Sequence, residues 1–171
     1  MLASKSKTVT HSLYQQDLIS CTQLTRDNID LILALAQQMQ RNPAQPFLHN
    51  KIIASCFFEP STRTRLSFET AIHRLGGKII GFSDSQFTSV TKGESLTDSI
   101  NIISQYADAI IIRHPLDGSA KLAADVSNKP IINAGDGVNQ HPTQTLLRLL
   151  HRLPTRVKIP PPPNPSSLKP P

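Results

Sequence analysis

The stretch KIIASCFFEPSTRTRLSFETAIHRLGGKIIGF, residues 51–82, decides how this chain folds. Its opening run, 51–58, is apolar on both faces, as buried parallel strands are. From about Ser61 to Leu75 the period changes, and Phe68, Ala71, Ile72 and Leu75 fall on one helical stripe. Gly76-Gly77 supplies the stop, and KIIGF (78–82) resumes as a second strand. Strand, helix and strand in that order predict a parallel crossover unit.

The rest of the chain extends the same alternation. Thr25 caps a helix over RDNIDLILALAQQMQ, with Ile29, Ile32, Leu33 and Ala36 on one face, closed by Pro43 and Pro46. Beyond the polar loop SDSQFTSVTKGE, a helix around 95–107 carries Leu96, Ile100, Ile103 and Ala107 at helical spacing. AIIIRH (109–114) is a third strand, GSAKLAADVS a short helix and PIINA (130–134) a fourth strand. His141-Pro142 then opens a last helix, with proline at its first position. The expectation is one α/β domain over 1–150, a four-stranded parallel sheet with helices on both faces. From Pro154 the chain holds eight of its fourteen prolines and no aromatic residue, so 151–171 is expected to be a disordered tail outside the core.

Composition excludes several function classes. A chain of 171 residues with 38% hydrophobic content makes one globular domain. No apolar run approaches a membrane span, and the N-terminus lacks the apolar segment of a secretory signal. The net charge of +6 resembles a nucleic-acid signature until it is located. Five of the eighteen basic residues, and no acid, lie from Arg148 onward, so residues 1–147 carry a net charge of only +1. That argues against a nucleic-acid surface. Cys21 and Cys56 form no metal-ligand spacing; Cys56 reads as a buried thiol, and a reduced, cytoplasmic protein is expected. A dinucleotide fingerprint, a P-loop, a nucleophile elbow and a metal-like histidine spacing are all missing, so neither a cofactor nor a metal is expected.

Polar residues gather where each strand ends, the edge at which parallel sheets bind ligands. EPSTRTR follows the first strand, SDSQFTSVTKGE the second, RHP the third and NAGDGVNQHPTQ the fourth. Ser61, Thr62, Arg63 and Thr64 stand at a helix start, where free amides, hydroxyls and a guanidinium fork suit an anion, most readily phosphate. The plain alternative is Ser61 as an ordinary cap with Arg63 and Arg65 solvated. Ser89 and Lys92 occupy a polar loop. Arg113 ends an apolar strand and needs a ligand or an acid such as Asp84 or Asp108, while His114 competes with it on spacing alone. His141 and Gln144, three residues apart, share one side of a helix start and suit a carbonyl oxygen and an NH2 group, unless His141 is merely a cap.

With these pieces in place, the chain resembles the catalytic subunit of the aspartate carbamoyltransferases. The resemblance rests on SCFFEPSTRTRLSFETAIHRLGG, GFSDSQFTSVTKGESLTDSI, IIIRHP and NAGDGVNQHPTQTLL, and runs from about Leu13 to Leu147. It implies carbamoyl transfer from carbamoyl phosphate to L-aspartate in pyrimidine synthesis, by a homotrimer with or without regulatory chains. It implies that Ser61, Thr62, Arg63 and Thr64 bind the phosphate, and that Arg113, His141 and Gln144 hold the carbamoyl group. Ser89 and Lys92 would enter the active site of a neighbouring subunit. Arg63, Thr64, Lys92, Arg113 and His141 would be the catalytic set. Ornithine carbamoyltransferases share STRTR but differ before it and in the lysine loop.

After HPTQTLL the likeness ends in RLLHRLPTRVKIPPPPNPSS, where the family continues with an acidic residue. The aspartate-binding domain, with its HPLPR-type loop, is expected to be absent and this chain to be truncated and catalytically incomplete. A shifted reading frame would account for the switch, which the nucleotide sequence in the other frames would decide. A non-catalytic carbamoyl-phosphate-binding or trimer-forming fragment is the competing expectation, and a proline-rich SH3 ligand a third. Leu146, Leu147, Leu149 and Leu150 are expected to present apolar surface.

Overall fold

A computed structural model describes residues 13–83 and 93–152 of the protein. Nine elements alternate along the chain. They are α1 (Arg26–Arg41), β1 (Ile52–Phe57), α2 (Thr62–Arg74), β2 (Lys78–Phe82), α3 (Leu96–Ile103), β3 (Ala109–His114), α4 (Ser119–Val126), β4 (Ile131–Asp136) and α5 (Pro142–Arg152). The strands form one sheet in the order β2-β1-β3-β4, every neighbour parallel. The proline-rich tail beyond Arg152 lies outside the described residues, as do Ser89 and Lys92.

Both faces of the sheet are covered, because alternate residues of the central strands supply two separate cores. Ala54, Cys56, Ile110, Ile112 and Ile131 pack with Ile100, Ala120 and Ala123 of α3 and α4. Ile53, Phe57, Ile111 and Ala134 pack on the opposite face with Ile72 of α2, Phe68 joining from the rim. Burial pushes the Cys56 thiol up to about 12, the inert thiol its apolar run implied.

Two local details depart from the periodicity. On α2 only Ile72 is fully buried, while Ala71 is exposed. The helix rides on one strong anchor flanked by half-buried Phe68 and Leu75. On α5, Leu146 is buried at 6% exposure, so the expected apolar surface narrows to Leu147 (50%) and Leu149 (41%). The stop of α2 follows its glycines: Gly76, at φ +80°, donates to His73 O at 3.0 Å, and Gly77 donates to Ile72 O at 3.0 Å. That pair of bonds is a Schellman turn, and its left-handed residue favours glycine. Thr25 caps α1 as its sequence implies, Oγ1 accepting from Asn28 N at 3.2 Å.

Candidate active site

The start of α2 is built to receive something. Arg65 N is the first amide of the helix to find a carbonyl, Ser61 O at 3.0 Å. The amides of Thr62, Arg63 and Thr64 therefore point out of the helix end. No acid stands in the first turn, and Ser61, although at the cap position, makes no side-chain cap bond. The ordinary-cap alternative fails on that geometry. Arg63 is exposed and makes no ion pair among the described residues. Unpaired amides, free hydroxyls and a free guanidinium, at the positive end of a helix dipole, suit an anion.

Arg65 does something else. Its Nε donates to Glu69 Oε1 at 2.8 Å, one turn along, and Glu69 also accepts from Ser55 Oγ at 3.2 Å. Of the two arginines in STRTR, only Arg63 belongs with the helix start.

The other polar residues arrive from β3, β4 and α5. Ser61 to Thr64, Arg113, His141 and Gln144 line one cleft of about 910 Å³, with Phe68 and Leu147 as apolar wall. Three chain segments thus meet where their strand ends place them. Arg113 is held on two sides: Nη2 pairs with Glu59 Oε1 at 2.6 Å, and Nη1 donates to Ala134 O at 3.0 Å. Its Nε is buried with no partner among the described residues. Among the described residues the acid that pairs with Arg113 is Glu59, not the anticipated Asp108. Asp108 instead pairs with Lys51 at 2.9 Å and accepts from Ile52 N at 2.9 Å, while Asp84 lies outside the described residues.

Spacing missed Glu59, but register explains it. Parallel pairing aligns Phe57 with Arg113, and Phe58 N donates to Arg113 O at 2.8 Å. Glu59, just beyond, is thereby carried to the Arg113 side chain.

His114 falls outside the cleft lining. Its Nδ1 accepts from Leu116 N at 3.1 Å and lies 2.7 Å from Ser119 Oγ, and its ring packs 5.1 Å from Phe58. It tethers the β3–α4 turn. Burial holds its pKa below the usual histidine value, against opposing pulls from Glu59 and Asp136. His141 is also held low, by burial first and then by the Arg113 charge. A neutral imidazole beside a guanidinium offers one N–H donor to a polarised oxygen without repelling its neighbour. Its Nδ1 stands 3.3 Å from Thr143 Oγ1, and Gln144 is exposed at the mouth.

Among the described residues no group of three His, Cys, Asp or Glu is arranged to hold a metal ion, and no helix is long and apolar enough to cross a membrane.

An open helix start, facing an arginine and a histidine across a parallel-sheet edge, makes an α/β domain suited to an anionic ligand. The model of the aspartate/ornithine carbamoyltransferase carbamoyl-P binding domain matches residues 16–152. This chain belongs to that family. The catalytic subunit of aspartate transcarbamoylase from M. jannaschii is 52% identical, with a TM-score of 0.71 over 79% of this chain and 45% of that one. Aspartate transcarbamoylase from Trypanosoma cruzi, solved with carbamoyl phosphate and aspartate, is 37% identical, with a TM-score of 0.75 over 80% of this chain and 46% of that one. The same enzyme with N-(phosphonacetyl)-L-aspartic acid matches equally, over 43% of its length. The chain spans under half the length of these solved relatives.

Proposed function

We propose that this chain carries the carbamoyl-phosphate half of an aspartate carbamoyltransferase site. The observation that carries the reading is the meeting of an unpaired helix start, Ser61–Thr64, with Arg113, His141 and Gln144 around one cleft. The phosphate would sit on the α2 amides, the hydroxyls and the Arg63 fork. The carbamoyl oxygen would take bonds from Arg113, His141 and Thr64, and its NH2 would face Gln144.

The chemistry follows from those placements. The α-amino nitrogen of aspartate attacks the carbamoyl carbon and a tetrahedral oxyanion develops. The carbon–oxygen bond then breaks, its electron pair leaves on phosphate, and the nitrogen loses a proton. Fixed donors aimed at the oxyanion are each worth roughly 10²–10³ in rate. Arg63, with Lys92 from a neighbouring subunit, would stabilise the departing phosphate, and Ser89 would enter with that lysine. The products would be N-carbamoyl-L-aspartate and phosphate, a step of pyrimidine synthesis, made in the cytoplasm by a homotrimer with or without regulatory chains. The 52% identical relative is an aspartate transcarbamoylase, which favours aspartate over ornithine as the acceptor.

A second reading, a module that binds carbamoyl phosphate or joins trimers without transfer, draws on the matched family model, which is that of a carbamoyl-P binding domain over residues 16–152. One calorimetric series tests both. Carbamoyl phosphate is expected to bind, and N-(phosphonacetyl)-L-aspartate to bind no tighter if the aspartate contacts lie elsewhere. Much tighter binding of the analogue would reject the module reading. No binding of either would reject the site.

A further inference from the structure

Beneath Arg113 and His141 lies a buried polar pair that the cleft does not itself contain. Asn133 is 0% exposed and Asp136 1% exposed, both on β4. Asn133 Nδ2 donates to Ile19 O at 3.0 Å and to Asp136 Oδ1 at 3.0 Å, and Asn133 Oδ1 accepts from Gly135 N at 2.8 Å. The carboxylate of Asp136 takes three more donors: Gly118 N at 3.0 Å, Asn139 Nδ2 at 3.2 Å and Gln140 N at 3.2 Å. No cation neutralises it in an ion pair among the described residues. Four N–H donors stabilise the buried charge instead.

Two of these partners, Gly135 and Gln140, adjoin the cleft-lining Arg113 and His141. Gly135 stands at φ +118°, and a Cβ there would come within 2.4 Å of Arg113 Nη1 and 3.7 Å of His141 Cδ2. The backbone at this glycine is thus the floor on which both side chains rest, and Asn133 pins its amide. Gln140 immediately precedes His141, and its backbone N–H and C=O are both tied to Asp136, the carbonyl accepting from Asp136 N at 3.3 Å. Ala134, whose carbonyl accepts from Arg113, lies between Asn133 and Gly135.

We propose that the buried Asn133–Asp136 pair is the positioning device of the carbamoyl half of the site, fixing Arg113 through Ala134 and Gly135 and His141 through Gln140. The inference rests on the carbamoyl-phosphate reading above. The pair touches no ligand; it sets where two donors meet. The phosphate cradle on α2 hangs from a different element and is independent of it.

The test is Asp136→Asn in the full chain. The substitution keeps the shape but turns one oxygen into a donor facing donors. Calorimetry with carbamoyl phosphate and with inorganic phosphate separates the two halves. The expected result is a roughly tenfold or greater loss for carbamoyl phosphate, with inorganic phosphate held within about twofold. The His141 ring, followed by NMR titration, is expected to move up toward an ordinary histidine as Arg113 and the floor relax. Removing a negative charge would by itself move it down, so the direction is diagnostic.

A lower Tm with both affinities and the His141 titration unchanged would overturn the proposal, as would equal losses for both ligands. If the unaltered chain binds phosphate but prefers carbamoyl phosphate not at all, the function reading fails, and the His141 titration still judges the pair. If Asp136→Asn does not fold, Asn139→Ala removes one donor from an exposed residue. It is then expected to weaken carbamoyl phosphate roughly threefold and leave phosphate alone; no difference between the ligands would refute the pair's role.

Discussion

Replacing Arg63 by alanine asks whether the start of α2 is an anion site or a decorated surface. The side chain is exposed and holds no acid among the described residues, so its loss removes no internal contact. Stability is expected to hold within about 0.5 kcal/mol. A hydrogen bond to a charged partner contributes about 1.5–3 kcal/mol, and water access puts Arg63 toward the lower end. The dissociation constant for phosphate or carbamoyl phosphate is therefore expected to rise roughly 10–100-fold. Arg63→Lys keeps the charge but loses the planar fork, and is expected to fall between the two. Arg65→Ala is the internal control: only two residues on, it pairs with Glu69 and is expected to change affinity less than about twofold. Calorimetric titration at two salt concentrations, with a thermal melt of each variant, measures all of this. Undiminished affinity in Arg63→Ala, or an equal loss in Arg65→Ala, refutes the phosphate role of the segment.

Other consequences are more local. Gly76→Ala forces a side chain to φ +80° with only ordinary contacts around its Cβ, the nearest at 3.6 Å, so backbone strain alone should cost it. A Tm roughly 3–6 °C lower with ligand affinity unchanged is expected, and an unaltered melt would refute the strain. Cys56 is buried with its thiol pushed up to about 12, whereas Cys21 is half-buried. A thiol reagent is expected to modify one cysteine in the native protein and two after denaturation; rapid native reaction of both would contradict the core packing. His114 and His141 both have folded pKa values below the unfolded 6.5. The unfolded chain therefore binds more protons, and their contribution is complete above 6.5 and lost as pH falls from there toward the folded values. Tm is expected to drop on acidification from pH 7 to 5.5, and less steeply in His114→Asn, which keeps an acceptor for Leu116 N. An unchanged slope in that variant would exclude His114 as a contributor.

Much of this was readable before any coordinates. Strand order aside, the nine elements lie close to where periodicity and punctuation put them, α3 stopping at Ile103 rather than near 107, because buried strands and glycine stops are local properties. The convergence of the segments after β1, β3 and β4 on one sheet edge was equally readable, since parallel strands carry it by topology; most of the loop after β2 lies outside the described residues. Partner identities were not. Glu59 reaches Arg113 only through the pairing of Phe57 with Arg113, a register between segments more than fifty residues apart. Arg65 leaves the site because Glu69 waits one helical turn along, a competition that the run of hydroxyls and arginines masks. Asn133 and Asp136 read as ordinary polar residues at a strand end until their hydrogen bonds are traced to Ile19, Gly118 and Gln140.

The two halves of the cleft are made by different physics, and they are expected to fail differently. The proposed phosphate half is mostly backbone: helix amides and a dipole, with a Ser61 side chain that makes no cap bond and an exposed Arg63. Substitutions there change affinity and leave the fold. The proposed carbamoyl half is held from beneath by a buried network, and Arg113 additionally spans Glu59 and Ala134 while its Nε finds no partner among the described residues. An arginine fixed at two corners and unsatisfied at a third is poised for an acceptor, at the expense of stability in its absence. Ligand binding is therefore expected to raise Tm, and by more for carbamoyl phosphate than for phosphate at equal occupancy. The difference should vanish in Arg113→Met, which keeps the packing and removes the fork. If Arg113→Met retains that difference, the coupling between carbamoyl recognition and the sheet edge is not carried by Arg113.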